Sequence, residues 1–167
     1  MKKLIISLVL IFLFSLSSVK LYVIASDVDV PKITTENNQI VFIQKMNSSI
    51  GKELVPKGVI LGVNDVEEIT FTYTIFVQYG VSVEYYVDDL KINDQRVSSE
   101  IEDLFNFNYK VGISSNSHLQ LEIFDETEAG YFMNITVILT MDEPSEAQFH
   151  EIAGQQLSFT IVFESTD

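Results

Sequence analysis

Twenty-four acidic side chains against ten basic ones give this 167-residue chain a formal charge of −14, a balance that repels nucleic acid and anionic membrane surfaces. The absence of cysteine excludes a disulfide framework, a thiol nucleophile, a cysteine zinc site and the acylated cysteine of a lipoprotein. Stability must come from packing, and the 47% hydrophobic content supplies the material for one domain with its own core.

Residues 1–25 read as an export leader. Lys2 and Lys3 precede an unbroken apolar run over residues 4–16, and Ser17 and Ser18 break it. The run is shorter than the ~20 residues that span a bilayer as a helix, which favours a removable leader over an anchor. Val23 and Ala25 offer the small side chains a signal peptidase accepts, so cleavage is expected after Ala25, with Ser26 as the alternative. Residues 26–45 follow as an extended N-terminal arm with few strong alternations, and residues 46–167 as a β-sandwich domain.

Alternation of period two dominates the chain beyond the leader. Ile69, Phe71, Tyr73 and Ile75 share one face of a strand and Thr70, Thr72 and Thr74 the other. The same pattern predicts strands over 81–87, 119–124, 133–139 and 157–163, with weaker candidates at 40–43, 59–63 and 90–92. Seven or eight short strands with polar turns describe an all-β fold, an antiparallel β-sandwich or jelly roll. A short helix is expected over 144–154: Pro144 and Ser145 open it, Phe149, Ile152 and Ala153 share one side, and Gly154 offers a left-handed stop. Ile101, Leu104 and Phe105 suggest a second one over 99–105.

No catalytic constellation emerges. His150-Glu151 begins like the zinc-protease pattern His-Glu-x-x-His, but Gly154 stands where the second histidine belongs, and the other histidine is His118. No Gly-x-Ser-x-Gly elbow occurs. Asp125, Glu126 and Glu128, followed by Gly130, are candidate calcium ligands, the alternative being solvated turn residues that discourage edge-to-edge aggregation. Asp88 and Asp89 are paired carboxylates, but neighbours on a strand point to opposite faces, which argues against their cooperation in glycosidase chemistry. Tyr73, Tyr79, Tyr85, Tyr86, Phe105, Phe107 and Tyr109 could form a sugar platform or simply pack a core. The expectation is a non-catalytic protein without a cofactor or catalytic metal; its second reading is a carbohydrate- or calcium-binding module around Asp125 and Phe105.

The last third of the chain carries a resemblance. An alternating strand over 135–141 runs into the acidic turn Asp142-Glu143-Pro144. Phe149, Ile152 and Gly154 follow, and then a closing strand from Leu157 through Phe159, Ile161 and Phe163 to Glu164. This cadence resembles the camelysin and TasA family of secreted Gram-positive surface and biofilm-matrix proteins. The resemblance implies a jelly roll outside the cell that joins copies into fibres by donating an N-terminal strand to a neighbour. Val28, Val30, Ile33 and the segment from Ile40 to Ile43 could extend a sheet edge in that way, the alternative being that the arm pairs within its own domain. The protease activity attached to some family members is not implied, because this sequence lacks a metal-ligand set.

Overall fold

The structure, a computed structural model, describes residues 24–27, 31–34, 39–59, 62–114 and 130–166. The expected apolar leader segment, the strand at 119–124 and the candidates His118, Asp125, Glu126 and Glu128 lie outside these residues. Among the described residues the fold is all-β with two short helices. In chain order the strands are β1 (Ile24–Asp27), β2 (Lys32–Thr34), β3 (Ile40–Asn47), β4 (Glu53–Leu54), β5 (Asp65–Val66), β6 (Glu68–Gln78), β7 (Ser82–Ile92), β8 (Gln95–Arg96), β9 (Phe105–Ser114), β10 (Gly130–Met141) and β11 (Gln156–Thr166). Helix α1 (Ser99–Glu102) precedes β9, and α2 (Glu146–Ile152) precedes β11.

Two sheets share one core. Sheet I runs β1-β11-β7-β8, with β2 also on β11; sheet II runs β3-β6-β10-β9. Their inward residues are those the alternation selects: Ile69, Phe71, Tyr73 and Ile75 of β6, Ile135, Val137 and Leu139 of β10, and Leu157, Phe159 and Phe163 of β11 are all fully buried. Rings lock the sheets together edge to face. Phe159 of sheet I meets Phe71 at 5.2 Å and Phe107 at 5.2 Å, and Phe163 meets Tyr73 at 5.7 Å. Such pairs contribute about 0.5–1.5 kcal/mol beyond their buried area.

Strand β7 departs from strict alternation for a local reason. Its register against β11 slips between Ser158 and Thr160, and Asp89 takes a left-handed φ of 54°. The extra residue shifts the inward set from Val83, Tyr85 and Val87 to Leu90 and Ile92, as a β-bulge does. The two strands expected at 81–87 and 90–92 are therefore one. Asn93 and Asp94, with φ of 49° and 65°, then form the tight two-residue turn that leads into β8.

Other elements follow their local grammar. At α2, Ser145 Oγ accepts from the Gln148 N–H at 3.4 Å while Gln148 Oε1 accepts from the Ser145 N–H at 2.9 Å, a reciprocal cap. Gln148 Nε2 also donates to the Glu100 carbonyl at 2.8 Å and so ties α2 to α1. Helix α1 stops at Glu102, short of the expected Phe105, because Phe105 begins a strand whose inward face continues through Phe107 and Tyr109. The strand expected at 59–63 is not formed at Val59, Gly62 or Val63; the paired residues flank this stretch, in β4 and β5. The Gly58 and Gly62 amides there donate to Glu67 and Asp65 carboxylates at 2.8 and 2.6 Å, which satisfies them outside a ladder.

The N-terminal segments line the closing strand. Strands β1 and β2 both run parallel to β11, pairing Ile24–Asp27 with Gln156–Phe159 and Lys32–Thr34 with Val162–Glu164. Strand β3 then joins sheet II as its edge beside β6. The cleavage point expected after Ala25 falls inside β1.

One buried polar group marks a weak point. Thr140 is 1% exposed, and its Oγ1 has no hydrogen-bond partner among the described residues. Thr140→Val keeps the shape and removes the stranded hydroxyl, so the midpoint of denaturant unfolding should rise, by about 1 kcal/mol or more.

Candidate functional site

Residues of β7 in sheet I and of β9 in sheet II line a groove of about 370 Å³. Its floor is built by β9. Alternation places Phe105, Phe107 and Tyr109 on the inward face, while Asn106 and Asn108 point outward and are exposed. Phe107 is held by Phe159, and Tyr109 stacks at a tilt on Tyr85 at 5.3 Å. The rim is acidic, with Asp88 from the bulge of β7 and Glu102 and Asp103 from the end of α1. Tyr86, 41% exposed, completes the wall.

This geometry brings Asp88 to the aromatic run 105–109 and to Glu102 and Asp103, which directly precede that run. Asp88 and Asp89 themselves separate. The Asp89 N–H donates to Asp88 Oδ1 at 2.8 Å, while the Asp89 carboxylate pairs with Lys91. Only Asp88 of the two lines the groove. Tyr73 is fully buried in the core, and Tyr79 is an exposed ring 6.1 Å from Tyr131, away from the groove residues.

Tyr109 performs a task that no sequence pattern reveals. Its hydroxyl accepts from the Val87 N–H at 3.2 Å, which satisfies a backbone donor of β7 from the opposite sheet. Burial is the main reason its pKa is raised from the ordinary 10.0, with Tyr85 adding to the rise and the Val87 bond opposing it. The neutral phenol is therefore the form the fold prefers. Its contribution to stability is complete below pH 10 and is lost as pH climbs through the raised value. In an alkaline titration the wild type should lose stability in that range, and Tyr109→Phe should flatten the loss. At pH 7 the same variant should be less stable by about 1 kcal/mol, because Val87 loses its acceptor.

On the outer face of sheet I, Tyr86 donates to Glu164 Oε2 at 3.5 Å. Desolvation first, then the charges of Glu164, Asp88 and Glu84, raise its pKa. Glu84 stands directly opposite Glu164 across the β7–β11 ladder, so this face concentrates like charge.

His150 lies on α2, exposed, with its ring 5.6 Å from that of Phe149. Among the described residues no group of three or more histidine, aspartate or glutamate side chains could hold a metal ion. The groove thus offers apolar ring surface below and carboxylates above. That chemistry suits stacking against the apolar face of a sugar or holding an organic cation. The class of protein that these features define is an all-β domain with two main sheets, a small two-stranded one, and an aromatic, acid-rimmed groove between strands of the main sheets. No family model matches the chain, and neither a curated protein nor a solved structure matches it.

Proposed function

We propose that this chain is a secreted, non-catalytic structural protein of a bacterial extracellular matrix or cell surface, working by self-assembly or adhesion. In this reading residues 1–25 direct export, the two sheets form a jelly roll, and no nucleic acid or membrane is bound once the leader is removed. Copies join when β2 and the arm around it in one chain pair with β11 of the next. The observation that carries the reading is the edge of β11, whose outer partners are two short segments from the far end of the chain. An edge completed by so few ladder positions can accept the same segment from another copy, as in strand addition and domain swapping. The resemblance of residues 133–164 to the camelysin and TasA family supports the same reading.

Engineered cysteines test the exchange, because the chain has none of its own. Thr34 and Glu164 are ladder partners across β2 and β11, a spacing that a disulfide can bridge. In the variant Thr34→Cys/Glu164→Cys, assemblies grown near the isoelectric point of about 4.3 and oxidised should give covalent ladders of chains. Monomers alone on a non-reducing gel, with no oligomers by electron microscopy, would sink the reading.

The groove favours one second reading, a carbohydrate-binding module. Co-sedimentation with insoluble polysaccharides that is lost in Tyr86→Ala would support it, and absence of co-sedimentation would remove it.

A further inference from the structure

Three carboxylates, Asp88, Glu102 and Asp103, line the groove between β7 and β9, all of them exposed, and no lysine or arginine lines it with them. Among the described residues none of the three has an ion-pair partner. Lys91, the lysine nearest in sequence to Asp88, is taken by Asp89, and Asp88 Oδ1 accepts from a backbone amide, the Asp89 N–H. Nor do the three converge as metal ligands do, since no group of three acids or histidines among the described residues could hold an ion. The rim therefore keeps its negative charge, spread around the groove rather than focused at one point.

Below the rim the surface is made of rings. Phe107 and Tyr109 are half-buried and Tyr86 is exposed, so part of each ring remains accessible. The Tyr109 hydroxyl, having accepted from Val87, still has its own proton to give, and Asn106 adds an amide that both donates and accepts. The groove's volume of about 370 Å³ falls at the small end for ligand sites, ~300–1,000 Å³, which suits a short stretch of a glycan.

We propose that the groove takes an amino sugar, a glycan whose rings carry protonated amines; this rests on the carbohydrate-binding reading of the same groove. An acidic glycan is repelled by the rim and by a chain of charge −14. A neutral sugar would stack on the rings and bond to the polar groups, but would leave three carboxylates crowded and unneutralised. A linear polyamine supplies the charge but has neither a ring face for the floor nor hydroxyls for Tyr109 and Asn106. An amino sugar answers both: its apolar face lies on the rings, and its ammonium groups meet the carboxylates and the ring faces. Exposed ion pairs are individually weak, so binding needs floor and rim together and falls as salt rises.

The test is titration calorimetry on the full chain at about pH 6, where amines are protonated, with a soluble glucosamine tetramer and its fully N-acetylated counterpart. The amine tetramer should bind about fivefold or more tightly than the acetylated one. The isosteric variant Asp88→Asn/Glu102→Gln/Asp103→Asn should erase that preference. Glu68→Gln/Asp94→Asn/Glu151→Gln, which removes three exposed charges outside the groove, should keep it. The comparison of the two tetramers uses the unaltered chain and so does not depend on any variant folding. Equal affinity for both would overturn the amino-sugar assignment and leave the carbohydrate-binding reading standing, whereas binding of neither would remove both. Spermidine bound as tightly as the amine tetramer, or equal losses from the two sets of substitutions, would reduce the effect to the overall charge of the chain and overturn the proposal as well.

Discussion

Phe159→Ala should produce the largest loss of stability of any single truncation in this chain. Phe159 is fully buried and its ring stands between Phe71 of β6 and Phe107 of β9, each 5.2 Å away. Removing it opens a cavity and breaks two edge-to-face contacts that join the sheets. Phenylalanine truncations of this kind cost about 3–5 kcal/mol, a large fraction of the 5–15 kcal/mol that holds a typical domain together. Denaturant unfolding monitored by far-UV circular dichroism reads the loss directly. Phe159→Leu, which keeps most of the volume, should cost clearly less. Equal, small losses for both would mean that the two sheets do not share this core.

Gly130→Ala should be nearly as damaging for the opposite reason. A Cβ at Gly130 would fall well inside contact with a Phe76 ring carbon and the Val77 carbonyl oxygen. The ring could turn aside, but the carbonyl belongs to the β6–β10 ladder, where Gly130 pairs with Gln78. Overpacking usually costs about 1–3 kcal/mol, and a clash with ladder backbone belongs at or above the top of that range. A fall in Tm of about 10 °C is the expected result. Gly112, with open space around its Cβ position, is the control: Gly112→Ala should leave Tm within a few degrees.

How far the fold is legible in the sequence depends on how local each determinant is. Strands β6, β10 and β11 are legible because apolar and polar residues alternate from Ile69 to Ile75, from Met133 to Val137 and from Leu157 to Ile161. Helix α2 is legible because Ser145 and Gly154 punctuate it, and Gly154 does take a φ of 71°. Strand β7 reads as two pieces because the bulge at Asp89 changes the parity of burial midway. Two-residue ladders such as β4 and β5 leave no period to detect, and their pairing depends on residues twelve positions apart. The groove is the least legible feature. Its aromatic floor can be read from Phe105, Phe107 and Tyr109, but its meeting with Asp88 depends on two strand edges from different sheets. The bond from Val87 to Tyr109 depends on the same juxtaposition.

The placement of β1 and β2 has a mechanical consequence. Both run in the same direction as β11, so the beginning and the end of the domain leave from opposite ends of one ladder. With residues 1–25 still attached, a tug on the two chain ends would load the four positions of β1 and the three of β2 in shear, so the bonds of each segment must yield together rather than one by one. A domain clamped in this way resists extension far better than one unzipped from a hairpin, and force spectroscopy with handles at the two termini would display it as a single high rupture peak.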